Sequence, residues 1–169
     1  YLHYTYDQLN TFCMDAFQKF GFSESEARII SDVLLLSDLY GIESHGMQRL
    51  VRYHKGIEKG MIDVHAKPEI VHETPVSAVI DAHDAMGQLV SHQAMELAIE
   101  KAKKTGMAIV SVRNSNHFGI AGYYAKMACD QGLVGMAMTN SEAIMVPTYA
   151  RMAMIGSNPI ALAVPAEPY

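Results

Sequence analysis

The chain has 169 residues, 50% hydrophobic and 18% charged, with a formal net charge of −5 and a pI near 5.9. That is the balance of a globular protein, and a chain of this length can bury roughly 70% of its unfolded surface. Its acidity leaves no general basic face for nucleic acid, and its longest apolar runs, residues 33–36 and 160–165, are too short to span a bilayer, so neither nucleic acid nor membrane is expected as a partner.

The opening YLHYTYDQLN has no basic stretch followed by an apolar run, so no signal peptide is expected. Residues 6–20 place Leu9, Phe12, Cys13, Ala16, Phe17 and Phe20 at helical spacing, and Gly21 is a suitable stop. Ser23 with Glu26 forms a capping box that opens a second helix, running through Ile29, Ile30, Val33 and Leu34 to about Tyr40. A third helix is expected from near Gly46 to about Glu58. After Gly60 the texture changes, and Pro68 ends the helical pattern. Residues 69–73 and 77–81 read as a hairpin around Thr74–Pro75. Residues 91–105 return to helical spacing and stop at Gly106. Residues 107–112 have strand character, 117–131 read as a helix ended by Gly132, and 133–138 and 160–164 are further buried-strand candidates. The expected division is a helical region over 1–65 and an α/β region over 66–169. Cys13 and Cys129 stand in no metal spacing and read as reduced thiols of a cytoplasmic protein.

Three polar clusters fall at element ends. The first is ESHGMQRLVRY, residues 43–53. His45, Arg49 and Tyr53 recur every four residues, and Ser44 precedes them. A guanidinium fork makes two parallel hydrogen bonds to a carboxylate, so this surface could hold a small acid. Equally, Ser44 could cap the helix, His45 fill the turn, and Arg49 and Tyr53 be solvated. The second is RNSNHFG, residues 113–119, between a strand and a helix. His117 could move protons near neutral pH, or could simply pack while Ser115 or Asn116 caps. The third is TNSEA at 139–143 with IGSNP at 155–159. Small polar residues there could approach a dinucleotide, and they equally describe turns.

No G-x-G-x-x-G, Walker A loop, H-E-x-x-H or C-x-x-C occurs, so no metal is expected. His3, His54, His65, His72, His83 and His92 show no ligand spacing.

Taken together, SHGMQRLVRY, RNSNHFGIAGYYA, TNS and IGSNPIALAVP resemble the malate/L-lactate dehydrogenase family, in its order and over the whole chain. The resemblance implies an α/β (α+β) fold, a helical N-terminal region followed by a mixed α/β domain with a non-Rossmann NAD(P)-binding topology. It implies a hydride transfer between nicotinamide (NAD or NADP, NAD favoured) and a small 2-hydroxyacid or 2-oxoacid such as malate or lactate. It also implies a homodimer. By position His117 is the acid/base, with His45 the other catalytic candidate. Ser44, Arg49 and Tyr53 surround the substrate. Ser141 lies beside the nicotinamide, with Asn140 and Asn158 in the same cofactor cluster. Family members continue well past residue 169, which implies that this chain corresponds to their N-terminal half. The alternatives are a cyclic imine reductase and a non-catalytic half-domain.

Overall fold

A computed structural model describes residues 3–166; residues 1–2 and 167–169, at the outer ends of the two expected regions, lie outside the described residues. The residues up to Ile120 form one compact unit and those from Ala121 a second.

The first unit begins with two capped helices. In α1 (Tyr6–Lys19) Thr5 and Gln8 form a capping box, and in α2 (Glu24–Leu39) Ser23 and Glu26 do the same. Reciprocal side-chain bonds satisfy backbone N–H groups that no helical carbonyl can reach. Helix α1 buries Cys13 and Phe17, whereas Phe12, counted in its apolar stripe, is 58% exposed. A step of one residue turns the helix by about 100°, enough to carry Phe12 off the Cys13–Phe17 line.

The third helix does not start at Gly46. Two single turns of 3-10 helix, Glu43–His45 and Met47–Arg49, precede α3 (Leu50–Glu58). The extended backbone of Gly46 separates them, and the Asp38 carboxylate accepts a hydrogen bond from Met47 N at 2.8 Å. A side chain at Gly46 would collide with that carboxylate, whose Oδ1 lies 1.7 Å from where a Cβ would stand. One core cluster joins Phe17, Phe22, Ile30, Leu34, Tyr53, Ile62 and Met86. Residues from α1, α2, α3 and the segment before the next helix therefore share one interior.

The hairpin forms where expected. Strands β1 (Glu69–Thr74) and β2 (Ser77–Asp81) pair antiparallel, and Thr74 Oγ1 accepts from Ser77 N at 3.0 Å to close the turn. Helix α4 (Gly87–Thr105) then crosses to β3 (Ile109–Arg113), which pairs parallel with β2. Such a connection needs a crossover of this length. Helix α4 starts earlier than residue 91, because Gly87 and Gln88 interrupt the apolar period without interrupting the helix. Ile80, Ala82, Ala85, Val90 and Ala94 form the core between sheet and helix.

The second unit holds α5 (Ala121–Cys129) and a two-stranded antiparallel sheet of β4 (Gly135–Met138) and β5 (Ile160–Ala163). Helix α5 begins four residues later than the pattern suggested, which leaves His117 in a loop. The fold is mixed α/β, and among the described residues no doubly wound parallel sheet occurs. No described helix is long and apolar enough to cross a membrane.

One face of the β4–β5 sheet is apolar and open. Met136 pairs with Leu162 and Met138 with Ile160, and all four are more than half exposed. An open apolar sheet face with unpaired edges promotes association. Residues 1–169 expressed alone are therefore expected to self-associate, measured by light scattering on a sizing column. Met136→Lys with Leu162→Lys should reduce it, and a monodisperse wild-type monomer would contradict the expectation.

Candidate active site

The segment 42–49 is anchored to the end of α2 before it reaches any ligand. Ser37 Oγ donates to Ile42 O at 2.8 Å, and Asp38 holds Met47 N. Arg49 Nε donates to Ser44 O at 2.5 Å, which ties the guanidinium back onto its own turn. That bond leaves both Nη groups for an end-on carboxylate. Ser44 Oγ sits 2.9 Å from His45 Nδ1. The sequence left open whether Ser44 caps a helix; here it makes no cap and meets the imidazole instead.

The second piece is the loop between β3 and α5. Asn114, with φ at 52°, turns its amide onto both Asp81 carboxylate oxygens at 3.0 Å, and Arg113 Nε reaches the same carboxylate at 2.9 Å. Asn116 Nδ2 lies within 3.2 Å of the carbonyls of Met61, Asp84 and Ala85. These neutral and ionic bonds fix the loop from both sides. Gly119 then takes φ +81°, a conformation that disfavours side chains, and a Cβ there would stand 2.4 Å from Val33 Cγ1. The turn aims Gly119 N–H back at His117 Nδ1, 3.3 Å away.

The two pieces meet at His117. Its Nδ1 lies 2.8 Å from the Tyr53 hydroxyl, and its ring stacks on His45 with centroids 5.3 Å apart and planes 28° from parallel. Tyr53 is 1% exposed and packs its ring near Phe17, so its hydroxyl serves His117 rather than open solvent. The structure thus brings Ser44, His45, Arg49, Tyr53 and His117 into one site within the first unit.

Charge in this site is one-sided. Burial lowers the His117 pKa to about 4, and Arg49, His45 and Arg52 push the same way. His45 is lowered by burial first, then by Arg49 and Arg52. Burial raises the Tyr53 phenol to about 12, against the opposing pull of Gln88, Arg49 and Arg52. Two neutral imidazoles beside arginine suit an anionic ligand: the cations attract it, and the histidines add no competing charge.

The third cluster lies in the second unit. Ser141 N donates to Asn158 Oδ1 at 3.0 Å, and Ser141 Oγ lies 3.3 Å from Ser157 Oγ. Asn140 and Asn158 are exposed and Ser141 is half-buried. A Cβ on Gly156 would stand 2.3 Å from Ser141 Oγ, so the two loops touch only because Gly156 has none. Asn140, Ser141, Ser157 and Asn158 offer neutral hydroxyl, amide and backbone groups. That donor set fits the neutral carboxamide and ribose hydroxyls of a nicotinamide nucleotide better than a metal ion. Among the described residues no group of His, Cys, Asp or Glu is arranged to hold a metal.

Sequence reasoning overlooked Gln88. It sits in the first turn of α4, is fully buried, and neither amide atom has a hydrogen-bond partner among the described residues. An orphaned buried polar group costs about 1–3 kcal/mol. A glutamine breaking an apolar helical stripe at Gly87–Val90 was the available signal. Asp38 was also missed, and Asn116, offered only as a helix cap, instead holds a loop to the carbonyls of Met61, Asp84 and Ala85 that only the fold brings near.

Fold and site together define a mixed α/β protein with paired neutral histidines beside an arginine, outside the doubly wound dinucleotide-binding class. The chain belongs to the malate/L-lactate dehydrogenase family, whose model, described as "Malate/L-lactate dehydrogenase", matches residues 4–169. It is 48% identical over 167 residues to a malate dehydrogenase of Pyrococcus abyssi, covering 99% of this chain and 46% of that protein. It is 43% identical to an L-sulfolactate dehydrogenase of Methanocaldococcus jannaschii, covering 92% of this chain and 45% of the relative. The solved malate dehydrogenase of Pyrococcus horikoshii superposes with a TM-score of 0.97 at 46% identity, covering 100% of this chain and 49% of that one. The chain therefore spans about half the length of the relatives it matches.

The depressed His117 pKa has a consequence for stability. Between about 4 and the ordinary 6.5, the unfolded chain binds a proton that the native site refuses. Stability should thus fall as pH drops through that window and be independent of this group above it. His117→Asn in the intact protein should flatten the slope of melting temperature against pH between 4 and 6.5, with His45 supplying a remaining slope of the same sign. An unchanged slope would mean that His117 protonates freely in the native state.

Proposed function

We propose that this chain carries the substrate and proton-transfer half of an NAD(P)-dependent oxidoreductase acting on a small 2-hydroxyacid or 2-oxoacid such as malate, sulfolactate or lactate. The observation that carries the reading is His117, neutral, stacked on His45 and flanked by Arg49. Oxidising a secondary alcohol beside a carboxylate needs a base for the hydroxyl proton and an anchor for the acid. Neutral His117 takes that proton in oxidation and supplies it in reduction. Arg49 holds the carboxylate and thereby orients the carbinol carbon. His45, steadied by Ser44, lines the other side of the reacting oxygen.

Ser141, Asn140 and Asn158 would hold the nicotinamide end of the cofactor, NAD in preference to NADP. When bound, the cofactor supplies the hydride acceptor or donor. The malate and sulfolactate dehydrogenase relatives support this substrate class. The working form is proposed to be a cytoplasmic homodimer.

The test is a panel of 2-oxoacids, including oxaloacetate, sulfopyruvate and pyruvate, assayed with NADH and NADPH on the intact protein. His117→Ala should lower kcat by about 10²–10⁴-fold, the usual span of general acid–base catalysis. A loss below about tenfold would move the role to His45. Arg49→Lys keeps the charge and loses the fork, so substrate KM should rise while the Kd for NADH holds. A fall in NADH affinity instead would put Arg49 in the dinucleotide site.

A further inference from the structure

The loop that carries His117 meets two helices at points where there is no flexible side chain to yield. Gly119 packs on α2: a Cβ there would stand 2.4 Å from Cγ1 of Val33, which is fully buried. Val33 is stiff, because a β-branched side chain in a helix has one strongly preferred rotamer. The carbonyls of Asn116 and His117 pack on the first residue of α4, where a Cβ on Gly87 would stand 2.3 Å from one oxygen and 2.5 Å from the other. Held against α4 as well, the loop has no slack in which to absorb a shift at Val33. Ser37 lies one turn further along α2, about 6 Å on and on the same face, and it too is fully buried. Its hydroxyl holds Ile42 O, and the next residue, Asp38, holds Met47 N, both at 2.8 Å. Those two bonds bracket the segment with Ser44 and His45, and Arg49 is tied back to Ser44 O within the same turn.

We propose that helix α2 is the spacer between the acid/base and the carboxylate anchor: Val33 sets where His117 stands, and Ser37 with Asp38 sets where Arg49 stands. This role rests on the reading of His117 as the acid/base and Arg49 as the anchor. The substrate is held by its carboxylate at one end and meets the imidazole at the carbon beside it. The rate therefore depends on the separation of the two groups, and a misplacement near 1 Å costs about 10²-fold. One turn of helix suits that task, because backbone hydrogen bonds fix its rise per residue. Val33, Ser37 and Asp38 are thus positioning residues, acting on the reaction through the groups they hold.

The two ends of the spacer act at different stages of the reaction. His117 does its work as the proton moves, so displacing its loop should lower kcat and leave KM near wild type. Segment 42–49 carries the group that binds the acid in ground and transition states alike, so loosening it should raise KM first. A role in folding alone would not sort in this way. It would change the melting temperature and the amount of folded protein, while KM and the rate per folded site stayed the same.

The experiment uses the intact protein with oxaloacetate and NADH, with rates expressed per folded molecule. Gly119→Ala puts a methyl group against Val33 Cγ1 and should lower kcat by about 10²-fold, with KM held within about threefold. Adding Val33→Ala removes Cγ1 and should restore about tenfold or more of that loss. The strain of an alanine at φ +81° is common to both proteins, so the recovery measures the Val33 contact alone. Asp38→Ala removes the acceptor of Met47 N and should raise KM for oxaloacetate by about tenfold, with kcat falling less. A Gly119→Ala protein that is no faster with Val33→Ala than without it overturns the spacer, and so does an Asp38→Ala protein with wild-type KM. Should the alanine variants not fold, Val33→Ile adds one methylene at the same contact. A lowered kcat with KM held supports the spacer there, and a wild-type kcat, or a KM that rises as far as kcat falls, overturns it. If His117→Ala is slow while these tests fail, only the spacer is lost. Should His117→Ala turn over at the wild-type rate, the underlying reading fails along with it.

Discussion

The hydrogen bond between Tyr53 and His117 holds the site together. It joins residues 64 positions apart, one on a helix of the N-terminal region and one in the loop after β3. At 2.8 Å and with Tyr53 buried, it is well formed and shielded from water. Tyr53 can hold that place because its ring is part of the same interior as Phe17, Ile30 and Met86. The loop can hold His117 there because Asp81 and the amide of Asn116 tie it down on either side of Asn114. Packing of the helical region and the geometry of a strand-end loop thus converge on one imidazole.

Electrostatics follows from that placement. A histidine in an open loop would titrate near its ordinary value. Buried against Tyr53, stacked on His45 and facing two arginines, His117 refuses a proton until about pH 4. The cost of this arrangement falls on folding at acid pH. A neutral ring adds no positive charge beside Arg49 and Arg52. Backbone geometry adds direction: the Gly119 N–H chooses which ring nitrogen is the acceptor, and that choice depends on a positive φ and on the space beside Val33.

The second unit contributes a different kind of surface. Its polar cluster is knitted by bonds among the neutral groups of Ser141, Ser157 and Asn158, which join two loops. Its β4–β5 sheet covers one face with α5 and leaves Met136, Met138, Ile160 and Leu162 open. A family member about twice this length has ample chain with which to bury such a face, in keeping with the share of each relative that this chain spans.

Much of this was legible in the residues themselves. Local rules placed α1 and α2: an apolar stripe at helical spacing, stopped by Gly21, marked the first, and the Ser23–Glu26 capping box, satisfied within one helical turn, opened the second. The hairpin over Glu69–Asp81 was readable for the same reason: its turn closes on its own threonine. Candidate site residues could be named because His, Arg and Tyr at element ends carry the chemistry an acid substrate needs, and because their strings resemble one family. The sequence could not show that α3 begins only after two 3-10 turns, since that depends on Asp38 capturing Met47 N. Nor could it show that α5 starts at Ala121 and leaves His117 in a loop. It gave no hint that Tyr53 is buried with its hydroxyl on His117, or that the Gln88 amide is buried. Those facts belong to tertiary structure, because a hydrogen bond across 64 residues and the burial of an amide depend on packing between elements, which no local spacing encodes.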